Sequence, residues 1–90
     1  MSSKRKLKLY INNVCTELFA ECMAVTLYGT DINKENVGAL LSSILVIHND
    51  YIRRVSHPEP GMKAKTFYKK LTEDFNEQVK EILDQIDNLG

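Results

Sequence analysis

The chain has 90 residues, enough for one small domain with one modest core. Hydrophobic residues make up 43% and charged residues 27%, which excludes a disordered chain, and only four Gly and two Pro favour helix. Twelve basic residues balance twelve acidic ones, so overall charge does not commit the chain to nucleic acid or to an acidic membrane.

The chain opens with Lys4, Arg5, Lys6 and Lys8. A basic start before apolar residues is the pattern of a secretory leader, but Asn12, Asn13, Glu17 and Glu21 interrupt the apolar run, so no leader is expected. The same basic cluster fits a short nuclear address. Leu7, Ile11, Val14, Leu18, Cys22 and Val25 recur at steps of four and three, which predicts a first amphipathic helix. A second line on this helix, Phe19, Met23 and Leu27, falls outside that stripe and predicts a self-association surface. Cys15 and Cys22 are two turns apart, too far for an intrachain disulfide. They are expected to be reduced core residues, which fits a cytoplasmic protein.

Gly29 suits the left-handed residue that ends a helix, and Thr30, Asp31 and Asn33 are each competent to cap the next one. A second helix follows, with Val37, Leu41, Ile44, His48, Tyr51 and Val55 as its stripe. Its apolar run from Val37 to Ile47 is about half of the ~20 residues that a membrane span needs, so no membrane association is expected. His48 on this stripe is expected to be a mostly buried, neutral ring bonded to one of Tyr10, Tyr28, Tyr51 or Tyr68. Pro58 stops the second helix, and Pro60 is suited to the first position of the third. The third helix carries the stripe Ala64, Phe67, Tyr68, Leu71, Phe75, Val79, Ile82, Ile86 and Leu89.

Long helices joined by short links pack antiparallel. The expected fold is all-α, a single domain over residues 1–90 forming an up-down-up three-helix bundle. Charge then segregates. The start of helix 1 contributes four bases, and residues 50–70 contribute six bases against Asp50 and Glu59, so one pole carries +8 and the remainder −8. The i,i+4 pairs Lys69–Glu73, Lys70–Asp74 and Lys80–Asp84 account for part of this. The overall arrangement opposes the helix dipoles, with bases at the starts of helices 1 and 3 and acids at the end of helix 3.

The candidate anion- or partner-binding surface is this basic pole with the hinge: Arg53, Arg54, His57, Lys63, Lys65, Lys4, Arg5 and Lys6. Two Arg are suited to fork a phosphate or carboxylate, and His57 to titrate near neutrality. No Gly-rich phosphate loop, nucleophile elbow or metal-ligand spacing is present, so neither catalysis nor a metal or cofactor is expected. The expectation is a non-enzymatic interaction module that binds a protein partner or itself. The alternative is a nucleic-acid-binding accessory protein gripping phosphates through the pole. Net neutrality and the absence of aromatics between the bases weigh against it.

Overall fold

The computed structural model describes residues 4–29 and 32–89. Three helices follow one another: α1 (Lys4–Tyr28), α2 (Lys34–Ser56) and α3 (Ala64–Asp87). Each packs on both of the others, forming the expected three-helix bundle, 50 Å long and 18 by 16 Å across. The α1–α2 contact is the most extensive and the α1–α3 contact the sparsest.

The periodic stripes become the core. Leu7, Ile11, Cys15, Leu18 and Cys22 of α1 meet Val37, Leu40, Ile44, Tyr51 and Val55 of α2, and Leu71, Phe75, Ile82 and Ile86 of α3. Phe75 of α3 meets one aromatic from each of the other helices. Phe75 is fully buried, and the rings of Tyr10 (5.9 Å) and Tyr51 (5.3 Å) pack edge-on against it. The α2 stripe differs by one position from the sequence expectation. Leu40 is buried, while Leu41 and His48 sit at its edge, because α2 turns its other flank toward α3. Ala64 is exposed, since α3 begins there, above the core.

Polar residues within the helices are satisfied locally. Thr16, Thr26, Ser43, Ser56 and Thr72 each donate to the carbonyl four residues back. Both cysteines are free and buried, and burial raises their thiol pKa values.

The links depart from the sequence expectations in two places. Gly29 is not among the left-handed residues; the described glycine with positive φ is Gly61. Gly29 is needed for space instead: a Cβ there would lie 2.6 Å from Ile32 Cγ1 and 2.7 Å from the Val25 carbonyl oxygen. Asn33 caps α2, its Oδ1 accepting from the Glu35 N–H (2.9 Å) and the Asn36 N–H (3.4 Å). Thr30 and Asp31, the other candidate caps, lie outside the described residues. His57 ends α2, its N–H donating to the Arg54 carbonyl (3.2 Å) just before Pro58. Pro60 does not open α3. Glu59–Met62 closes a turn through the Met62 N–H and the Glu59 carbonyl (3.3 Å), with Gly61 at φ 84°. Pro then Gly at its centre, with positive φ at the glycine, is the pattern of a type II turn. α3 starts only after that turn, with Lys63 at its N-cap.

Candidate interaction surfaces

Antiparallel packing brings the start of α1, the end of α2 and the start of α3 to one end of the molecule. Lys4, Arg5, Lys6, Arg53, Arg54, His57, Lys63 and Lys65 lie there, all exposed. Arg54 faces the α2 side of α3, and Lys6 and Lys65 its α1 side. On its α2 side, Arg54, Glu59, Met62, Phe67, Lys70, Leu71 and Asp74 line a small crevice. Acids answer the bases on that side: Arg54 pairs with Asp50 (3.1 Å) and stacks its guanidinium over the Tyr51 ring (4.9 Å). Arg54 is thus held along its own helix, beside Asp50.

On its α1 side, α3 leaves a groove of about 520 Å³. Its floor is Leu7, Tyr10 and Tyr68, and its rim carries Lys6, Lys65 and Lys69, with Glu73 at the inner end. Tyr10 is fixed by its hydroxyl, which donates to Asn76 Oδ1 (2.7 Å). Tyr68 is fixed against Phe67 (5.5 Å between centroids), and its hydroxyl donates to the Val55 carbonyl at 3.5 Å. Sequence reasoning missed Tyr10, Tyr68 and Lys69 as site residues. The signal was present in Lys65-Thr66-Phe67-Tyr68-Lys69, where bases one turn apart flank aromatics. Tyr68 is only half-buried, at the margin of the stripe, so aromatics do interleave with the bases. None of the i,i+4 pairs Lys69–Glu73, Lys70–Asp74 and Lys80–Asp84 closes into an ion pair; Arg54–Asp50 is one that does.

His48 is partly exposed rather than buried. Its Nε2 is hydrogen-bonded to Asn12 Oδ1 of α1, and Nδ1 lies 3.4 Å from Asn49 Oδ1; no tyrosine is its partner. The Asn12 bond marks the α1–α2 register and locates a second surface. By the helical period, Asn12, Phe19 and Met23 share one flank of α1's buried stripe, and Leu41, Leu45, His48 and Ile52 the matching flank of α2. Because Asn12 bonds His48, both flanks face the same side of the molecule. Seven residues further along α1, Phe19 is level with Leu41, seven residues back along α2. α3 packs on the opposite side, against Leu7 and Tyr10 of α1 and Ser43 and Ile47 of α2.

This face stays open. Phe19 is 37% exposed, Met23 39% and Leu45 54%; Leu27, further round α1, is 74% exposed. Between Lys8 at one end and Lys34 at the other, no charged residue falls on it, since Glu17, Glu21 and Asp50 point from other sides by the same period.

Among the described residues, no three His, Cys, Asp or Glu side chains gather as a metal-ligating group, and no helix is long and apolar enough to cross a membrane. Compared with known proteins, the chain matches no family model, no curated protein and no solved structure.

Proposed function

We propose that this chain is a small, non-enzymatic helical interaction module that pairs with a second copy through its α1–α2 face. The observation that carries this is the uncharged face with Phe19, Met23, Leu41 and Leu45 on it, left uncovered by α3. Charges bordering an apolar patch but missing from its centre are the composition of an interface core and its rim. A two-fold axis through this face stacks two α1–α2 hairpins into a four-helix layer, with each α3 on the outside. The molecule's length and breadth of 50 by 18 Å suffice for the roughly 800 Å² per partner that a standard interface buries. The free, buried Cys15 and Cys22 support work in a reducing compartment, the cytoplasm.

Sedimentation equilibrium tests the pairing. The expected result is a dimer at micromolar concentration, converted to monomer by Phe19→Glu and by Leu45→Glu with helical circular dichroism unchanged. A wild-type monomer at high micromolar concentration overturns it.

A second reading, nucleic-acid binding, is favoured by the exposed Lys4, Arg5, Lys6, Arg53, Lys63 and Lys65 at one end. Counterion release then requires binding of short DNA or RNA to weaken steeply between about 50 and 200 mM salt, and an Arg53→Glu, Arg54→Glu variant to lose it. Absence of binding at low salt disposes of this reading.

A further inference from the structure

We infer that the groove between α1 and α3 binds an acidic peptide segment, which seats one bulky apolar side chain between Tyr10 and Tyr68 while its carboxylates meet Lys65 and Lys69. The site lies on the opposite flank of α1 from the α1–α2 face and does not depend on self-pairing.

Three independent features converge here. The first is shape and chemistry: the groove of about 520 Å³ has an apolar, aromatic floor and a lysine rim. That is room for one or two bulky side chains. The floor is already formed, since Tyr10 is held by Asn76 and Phe75, and Tyr68 by Phe67 and Val55. A ligand therefore meets rings that need little ordering, which preserves binding energy otherwise lost to conformational entropy.

The second is charge. Lys65 and Lys69 are one turn apart on the same rim, exposed, and neither makes an ion pair. Even the acid four residues beyond Lys69, Glu73, is left unpaired with it, although it lines the same groove. On the other side of α3, the crevice sets Arg54 and Lys70 against Glu59 and Asp74, and Arg54 is already paired with Asp50. The surplus positive charge thus belongs to the groove side.

The third is the beginning of α3. It has no acid in its first turn, and the Lys63 side chain makes no cap hydrogen bond. Its first N–H groups and the positive end of its dipole add to the field of Lys65. α1 likewise has no acid in its first turn. An incoming carboxylate is drawn by that field.

The arrangement favours peptide over nucleic acid. Glu73 at the inner end of the groove repels a continuous phosphate backbone but tolerates a peptide whose acids are confined to the outer end. No arginine lines the groove, so the planar fork that recognises phosphate is absent from it.

The test is fluorescence anisotropy with a labelled peptide carrying one tryptophan flanked by aspartates. Titration is expected to give saturable binding and to shift the ring protons of Tyr10 and Tyr68 in nuclear magnetic resonance spectra. Lys65→Glu with Lys69→Glu, both exposed substitutions that leave the core untouched, is expected to weaken binding roughly tenfold or more. Replacing the peptide's tryptophan by glycine, or its aspartates by asparagines, is expected to do the same. No saturable binding, binding indifferent to the tryptophan, or displacement by short single-stranded DNA overturns the proposal. Because the α1–α2 variants Phe19→Glu and Leu45→Glu leave the groove intact, they are expected to bind the peptide as wild type does. Loss of dimerisation and loss of peptide binding are therefore separate results.

Discussion

Lys63 occupies a position where almost any short polar residue serves better. A Ser, Thr, Asp or Asn at an N-cap accepts from the helix's free N–H groups, and lysine cannot. Asn33 shows the alternative within the same chain, with two such bonds at the start of α2. Lys63→Ser is expected to raise stability by about 1 kcal/mol, read as a higher urea midpoint with unchanged slope. A midpoint that does not rise means that the α3 terminus is already satisfied. The contrast also marks how far single residues were legible. Asn33 was one of three caps the sequence offered. Pro60 suits a first helical turn by its fixed φ, but Pro60-Gly61 is equally the centre of a type II turn, and the local pattern does not choose between the two. The partner of His48 was out of reach from sequence, because Asn12 is 36 residues away and becomes a neighbour only once α1 and α2 take their register.

At the scale of elements, α1 and α2 behave as one hairpin, and two glycines divide its requirements. At Gly29 a methyl group would run into Ile32 and into the Val25 carbonyl, so Gly29→Ala is expected to destabilise, by about 1–3 kcal/mol for an overpacked site. At Gly38, inside α2, an added Cβ meets nothing within 4 Å. Gly38→Ala is expected to stabilise by about 0.8–1 kcal/mol, the helix-propensity difference. Thermal unfolding of the two variants side by side checks both signs. Helix number, order and approximate length were legible because the apolar period runs unbroken through each segment. The face each helix turns to its neighbours was legible only to within one position, as Leu40 and Leu41 show. Period alone fixes a stripe but not the direction from which a third helix arrives. For the same reason only the α3 half of the α1–α3 groove, Lys65 to Lys69, is legible: its floor joins residues 58 positions apart.

For the whole molecule, the buried titratable groups set an alkaline limit. Tyr51 has its pKa raised, chiefly by burial, with Arg54 opposing and Asp74 and Asp50 reinforcing the shift. The thiols of Cys15 and Cys22 are raised by burial as well. Above about pH 9 the unfolded chain releases these protons while the folded chain keeps them. The unfolded state then binds fewer protons, so stability is complete below that range and falls as pH rises through it. Urea midpoints measured from pH 8 to 11 are expected to decline. Tyr51→Phe is expected to flatten the part of the decline near pH 10; a slope identical to wild type excludes Tyr51 as a source.

The division of charge has a consequence for how the molecule meets anything at all. With twelve charges of each sign its formal sum is zero, so a uniform field exerts no net pull on it. Bases gathered at one end of a body 50 Å long, and acids along the rest, make it an electric dipole, on which a field exerts a torque. Approaching a negatively charged body, the molecule is turned before it is drawn in, and the lysine-rimmed end arrives first. That alignment acts over about a Debye length, roughly 10 Å at 0.1 M salt. It raises the fraction of encounters that begin in the right orientation, and so the rate of association, without adding a contact to the finished complex.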